Sequence, residues 1–164
     1  MKNIFPLLAL LLPFVSLSQD ADLVYYDYIY SQNIKSVKFN VNGLLTSMPA
    51  IELNGGASLL LSFDEMEADA KDFVYSVVHC DANWNPSTSI NEFDYLDGFS
   101  EGQIRDYDYS FKVQSKYTHY WLSLPNRDMH FKISGNYLLK VYEDEDEKRL
   151  VLTRRFLVVD NSVN

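Results

Sequence analysis

The segment Phe73–Cys80 constrains the fold more than any other stretch of the chain. Its residues are mostly β-branched or aromatic, which favours an extended strand over a helix. The apolar residues of its two faces are Phe73, Tyr75 and Val77 on one side and Val74, Val78 and Cys80 on the other. A strand that is apolar on both faces needs cover above and below, so we expect it at the centre of a sheet.

Other segments alternate between apolar and polar residues, which predicts strands over 34–41, 106–113 and 117–124, the first of them half-buried. Turn signals such as Asn42-Gly43 separate them, and no helical pattern exceeds a turn or two. Gly135 precedes Tyr137 by two residues, as in the tyrosine corner of immunoglobulin-like domains, where the tyrosine hydroxyl bonds back to upstream backbone. We therefore predict an all-β fold, an antiparallel β-sandwich of immunoglobulin or fibronectin type III kind with about seven main strands.

One connection, Asp81–Ile104, is long for a loop and is rich in apolar side chains. It is therefore expected to be an ordered excursion, packed over an end or a side of the sheet, with a short helix near Asn91–Leu96. We call this segment the excursion. Long structured loops on compact domains are often functional, so it is the first place to look for a binding surface.

The chain begins with Lys2, an apolar stretch and the small residues Ser16 and Ser18, which is the pattern of a secretory signal. We predict a signal peptide over 1–18, an N-terminal arm over 19–33, the sandwich over 34–160 and a tail over 161–164. The apolar stretch is too short to span a bilayer, which takes about 20 residues. No cysteine follows it for lipid attachment, so we expect an exported, soluble protein without a direct membrane anchor.

The formal net charge of −9 argues against nucleic acid as a partner, since acidic surfaces repel phosphate backbones. Cys80 is the single cysteine, so no intrachain disulfide can form. A lone cysteine on an apolar strand is more often a buried small hydrophobe than a reactive thiol.

His79, Cys80 and Asp81 are residue types that bind zinc. Neighbours on a strand point to opposite faces, so we expect them to hold no metal. The sequence contains no glycine-rich phosphate loop and no G-x-S-x-G motif, and we predict neither a cofactor nor a catalytic residue. A hydrolase that uses His79 and Asp81 is the weakest alternative.

The aromatic residues Trp84, Tyr95 and Phe99 on the excursion, and Trp121 on the predicted outer face of its strand, are the better functional lead. Exposed aromatic side chains serve protein interfaces and sugar stacking. Alternatively, they form a satellite core beneath the excursion, and the sequence leaves both interpretations open.

Several motifs, in this order and spacing, resemble the first domain of type IX secretion system plug proteins. They include the run from His79 through Cys80 and Asp81 to Trp84, the run from Glu92 through Tyr95 and Gly98 to Phe99, and the later segments with Tyr117, Gly135, Tyr137 and Arg154. The resemblance extends from about Ile34 to Val159.

The resemblance implies a non-enzymatic, periplasmic module of a Gram-negative bacterium that binds and closes the mouth of a large outer-membrane β-barrel translocon. Members of that family are longer, which leaves open a truncated or split version whose further plug domain lies on another chain. The alternative function is a periplasmic or secreted glycan-binding module, by analogy of fold alone.

Overall fold

A computed structural model describes residues 23–67, 69–143 and 149–161. The predicted signal peptide, the start of the predicted arm (19–22), the predicted charged hairpin tip at 144–148 and the end of the predicted tail (162–164) lie outside the described residues. The elements of the described part are β1 (Tyr28–Ile29), β2 (Ile34–Val41), β3 (Ala50–Glu52), β4 (Leu59–Glu65), β5 (Phe73–Cys80), α1 (Glu92–Tyr95), β6 (Leu96–Gly98), β7 (Glu101–Ile104), β8 (Asp106–Tyr109), β9 (Thr118–Leu124), β10 (Met129–Phe131), β11 (Gly135–Glu143) and β12 (Arg149–Val159).

The protein is mostly β, and its antiparallel sheets pack together like a sandwich. One sheet has the order β1-β12-β11-β5-β7, and β3 also pairs with β12 in parallel. The other has the order β2-β4-β9-β8, and β6 and β10 form a separate ribbon. The prediction of packed antiparallel sheets is confirmed at this level.

The prediction that β5 is central to its sheet is also confirmed, since β11 and β7 pair with it on either side. Its inner-face residues Phe73, Tyr75 and Val77 are buried, and the ring of Phe73 contacts that of Phe63 in the second sheet. The N-terminal arm contacts the outer face of the same sheet, where Thr153 Oγ1 donates a hydrogen bond to the carbonyl of Tyr26 at 2.7 Å.

Aromatic rings from both sheets fill the core. Phe63 of β4 stacks on Tyr120 of β9 with ring centroids 5.3 Å apart, and Phe73 of β5 meets both rings edge-on. A second group centres on Tyr137 of β11, which stacks on Phe156 of β12 at 5.3 Å. Because such ring pairs add to plain area burial, they help to fix how the two sheets lie on each other.

Two strand predictions need correction. The predicted strand 106–113 ends at Tyr109, and its apolar side chains, including Phe111, remain exposed because β8 is the edge of its sheet. The excursion also contains two strands that were not predicted. One is β6, which pairs with β10, and the other is β7, which pairs with β5. The residues of β7, from Glu101 to Ile104, carry too few β-branched or aromatic side chains to indicate a strand by themselves.

A partly buried cluster of charges ties the ends of several elements together. Lys71 lies 3.5 Å from Glu65 and 3.1 Å from Glu143, and it also pairs with Glu67. Arg149 pairs with Glu143 from the other side. Burial by itself disfavours the charged forms of both Lys71 and Glu143. Their hydrogen bonds and ion pairs outweigh burial, so the pKa of Lys71 is raised and that of Glu143 is lowered.

Candidate partner-binding surface

The start of the excursion is anchored by a cluster of rings beneath it. The ring of His79, at the end of β5, lies 5.1 Å from that of Tyr137 and 5.7 Å from that of Tyr95. His79 Nδ1 is hydrogen-bonded to Ser87 Oγ at 2.7 Å. Burial lowers the pKa of His79, against a smaller opposing hydrogen bond to the backbone of Ser134. The histidine is therefore a packing residue that holds the excursion to the sheet.

Gly135 and Tyr137 complete this cluster at the start of β11. A Cβ at Gly135 would lie 2.3 Å from His79 Nε2, so only glycine leaves room for the imidazole. The hydroxyl of Tyr137 donates a hydrogen bond to the carbonyl of Ile133 at 2.8 Å, four residues upstream. Burial raises the pKa of Tyr137, so this hydroxyl keeps its proton over the physiological range.

Cys80 lies on the opposite face of β5 from His79. Its side chain is buried, and burial raises the pKa of the thiol to about 11, against a smaller effect of Arg155. The protonated thiol is a poor nucleophile and a poor metal ligand. Within the described residues, no group of three or more His, Cys, Asp and Glu side chains is placed to hold a metal ion.

Asp81 organises the turn that opens the excursion. Its Oδ1 accepts hydrogen bonds from the backbone N–H groups of Asn83 at 2.8 Å and Asn85 at 2.9 Å. These bonds, led by that from Asn85, lower the pKa of the carboxyl. The Asn136 side chain donates to the carbonyl of Asp81 at 2.8 Å, which fastens the turn to β11.

Trp84 closes this turn with a backbone φ of +67°, in a region that residues other than glycine rarely adopt. Its ring is covered by the guanidinium of Arg155, 4.3 Å from the ring centroid. Arg155 also donates from Nε to the carbonyl of Tyr25 at 2.6 Å and from its backbone N–H to Asp27 Oδ1 at 2.7 Å. Trp84 therefore joins the excursion to the N-terminal arm instead of offering a free ring.

The far end of the excursion presents side chains to solvent. Phe93 in α1 is 80 % exposed and Phe99 after β6 is 68 % exposed. Hydrogen bonds hold the backbone at both residues. Lys132 Nζ donates to the carbonyl of Phe93 at 2.7 Å, and the N–H of Phe99 donates to the carbonyl of Asp128 at 2.8 Å. Two exposed apolar rings on ordered backbone are suited to contact a protein partner.

Gly98 sets the position of Phe99. Its φ is +101°, and a Cβ there would lie 2.3 Å from the carbonyl oxygen of Asp128. The close approach of the backbone of β6 to the turn before β10 thus requires glycine at this position.

Tyr95, for which the sequence left an exposed ring and a satellite core open, is only 8 % exposed and belongs to the core. The satellite-core alternative is the right one for this residue. It lies two positions from Phe93 in a helical turn, so the two rings point to different sides of α1, one inward and one outward. Sequence reasoning missed Phe93, although this spacing within the expected helix is a signal that could have found it.

Residues 34–160 match the family model described as type 9 secretion system plug protein 1st domain. The chain belongs to this family. Its plug-domain match covers β2 to the end of β12, and so includes the excursion and every strand of the two principal sheets except β1. By its name, the family is the first domain of plug proteins of a secretion system. In the described ranges, no helix is both long and apolar enough to cross a bilayer.

A similar fold is known from a crystal structure of a hypothetical protein from Parabacteroides merdae ATCC 43184. The two share 34 % sequence identity with a TM-score of 0.78 over 84 % of this chain and 34 % of that one. The present chain thus spans about a third of the length of that protein. No curated protein matches the chain.

Proposed function

We propose that this protein is a periplasmic plug module that binds the mouth of the outer-membrane translocon of the type IX secretion system and closes it when no substrate passes. The observation that carries the proposal is the family match over 34–160, which spans nearly all of the described domain. The partner would be a large outer-membrane β-barrel protein. The acidic surface, with a net charge of −9, suits a soluble envelope protein.

The proposal includes export by the predicted signal peptide, with cleavage before Gln19. It also includes the finer fold assignment. The strand orders β2-β4-β9-β8 and β12-β11-β5-β7 correspond to the orders ABED and GFCC′ of immunoglobulin-like sandwiches. The Tyr137 hydrogen bond at the start of β11, the strand that corresponds to F, supports that assignment as well.

Within the excursion, the contact residues that we propose are Phe93 and Phe99. Both rings are largely exposed, while their backbones are held by Lys132 and Asp128. A side chain that is already positioned loses less entropy on binding than one on a mobile loop. Tyr95, in the same helix as Phe93, is buried in the core and anchors that helix.

A pull-down from gently solubilised outer membranes tests the proposal. We expect the tagged protein to recover a very large β-barrel protein in comparable amount, as identified by mass spectrometry. The intact mass of the recovered chain would at the same time test cleavage before Gln19. A folded, periplasmic protein that recovers no such partner would contradict the plug function and favour the glycan-binding alternative.

The double variant Phe93→Ser and Phe99→Ser tests the contact surface separately. We expect it to lower recovery of the partner by roughly tenfold or more, as loss of interface anchors does. Phe111→Ser is the matched control, because Phe111 is 78 % exposed and follows β8 in the other sheet. Equal recovery by both variants would place the interface elsewhere.

A further inference from the structure

A groove opens at the side of the sandwich, between β1 and β2. Its volume is about 530 Å³, within the range of roughly 300–1,000 Å³ that is typical of ligand sites. It is lined by one acidic residue, one basic residue and five others: Asp27 just before β1, Tyr28 and Ile29 of β1, Val37 and Phe39 of β2, Pro49, and Arg154 of β12. The excursion contributes nothing to these walls.

The groove exists because one edge of β12 is only partly paired. β1 pairs with it at Leu152 and Thr153, and β3 pairs with it from Leu157 onward. Between these two pairings, no described strand covers this edge. Arg154 lies in the gap, in register with the buried Leu139 of β11, so its side chain starts on the inner face of the sheet.

The guanidinium of Arg154 is a positive charge in the half-buried wall of the groove. Its Nη1 donates to the carbonyls of Thr153 at 2.7 Å and Tyr28 at 3.2 Å, which leaves Nε and Nη2 without a hydrogen-bond partner among the described residues. No described carboxylate forms an ion pair with it. The charge of Asp27 acts on it, but Asp27 Oδ1 accepts the backbone N–H of Arg155.

A partly buried guanidinium without a counter-ion is unfavourable, and its planar set of donors best fits a carboxylate. Burial accordingly lowers the pKa of Arg154, against a smaller opposing effect of Asp27. Asp27 lines the same groove and offsets part of this charge without forming an ion pair. The free Nε and Nη2 of Arg154 thus fit an anion with two oxygens, with Val37, Phe39 and Pro49 as apolar neighbours.

The edge of β2 adds a second feature that calls for a ligand. The N–H of Val41 bonds to Ser47 Oγ at 2.8 Å and its carbonyl accepts the N–H of Leu44 at 2.9 Å, so Val41 turns both groups away from β4. Phe39, two residues earlier, turns its N–H and carbonyl to the same outer edge. Neither group has a partner among the described residues, which makes this edge a template for another strand.

Apolar side chains continue beyond both walls. Leu44, Leu45 and Met48 are exposed in the loop that leads to Pro49, and Tyr26 is exposed on the arm beside β1. This apolar surface is longer than a small molecule needs. It favours an extended polypeptide, which can use the strand edge and the side surfaces together.

We propose that the groove binds an extended, acidic segment of another polypeptide. The backbone of the segment pairs with β2 at Phe39, a glutamate or aspartate side chain forms a bidentate ion pair with Arg154, and flanking apolar side chains lie against Val37 and Pro49. This site is separate from the excursion surface, and the inference holds whether or not the protein closes a translocon.

A fluorescent nonapeptide with blocked ends, alternating valine and serine around one central glutamate, is the probe for this site. Fluorescence anisotropy with the full mature chain measures its dissociation constant. We expect saturable binding of this peptide, and binding at least about tenfold weaker when glutamine replaces the central glutamate. Because the substitution is in the peptide, the protein is the same in both measurements.

The protein variant Arg154→Gln supplies the other half of the test. We expect it to weaken binding of the glutamate peptide to the level of the glutamine peptide, and to bind the two peptides equally. Lys38→Gln is the matched control, since it removes one positive charge from an exposed position of β2. A urea unfolding curve close to that of the wild type establishes that Arg154→Gln is folded.

Absence of saturable binding to the wild type would overturn the inference, as would glutamate-peptide binding that Arg154→Gln does not change. A loss of affinity in Lys38→Gln equal to that in Arg154→Gln would also overturn it, because the attraction would then come from net charge alone. These outcomes are independent of the membrane pull-down, since a free peptide replaces the translocon.

Discussion

The excursion and the side groove are assembled in opposite ways. The excursion is one continuous segment with conspicuous residues, and the structure uses most of them internally: Tyr95 is buried and Trp84 lies under Arg155. The groove takes ordinary residues from four distant segments and leaves its only cation without an ion pair among the described residues. In this protein the conspicuous aromatic residues of one segment mostly serve packing. Groups that are free to bind a ligand occur instead where separate segments meet.

The largest test of this comparison is Tyr95→Ala in the excursion. Removing a buried ring should lower the free energy of unfolding by about 3–5 kcal/mol, through lost burial and the cavity left behind. Phe93→Ala, two residues away and exposed, should change it by no more than about 0.5 kcal/mol. Urea denaturation measures both values. Similar small losses for the two variants would mean that the excursion is not anchored by Tyr95.

A smaller effect should come from Gly98→Ala. Gly98 and Gly43 both have positive φ, +101° and +83°, but a Cβ meets backbone only at Gly98. Gly43→Ala should therefore cost about 1 kcal/mol for backbone strain alone, and Gly98→Ala about 1–3 kcal/mol more for the clash with Asp128. Thermal unfolding of the pair measures the difference. Equal costs would show that the excursion yields to the added methyl group as freely as an open turn does.

The smallest effect is expected at the corner beneath the excursion. Tyr137→Phe leaves the carbonyl of Ile133 without its donor and should cost on the order of 1 kcal/mol in urea denaturation. Tyr28→Phe on the groove wall should be within about 0.5 kcal/mol of the wild type, because its ring is partly exposed. If Tyr137→Phe left the free energy of unfolding unchanged, the hydroxyl groups of Tyr137 and Tyr28 would not differ in their contribution to stability.

Strands with a strong pattern were predictable because their burial leaves a local signature. The alternation of β2 and β9 and the two apolar faces of β5 identify these strands, and the bounds predicted for β2 and β5 agree with those observed. The strand β7 was not predictable, since its pairing with β5 and not its own side chains makes it a strand. Pairing also limits β8, which is shorter than its pattern indicates because it pairs with β9 only over Asp106–Tyr109.

Taken alone, the sequence determined the sandwich-like class, the central position of β5, and the family resemblance that the match over 34–160 confirmed. These properties follow from local periodicity and from motifs that are contiguous in the chain. Only the tertiary structure decided which aromatic rings face solvent, and only it brought Tyr28, Phe39 and Arg154 to one groove. The physical reason is that exposure and an unpaired strand edge depend on what lies across the sheet, and no local pattern records those neighbours.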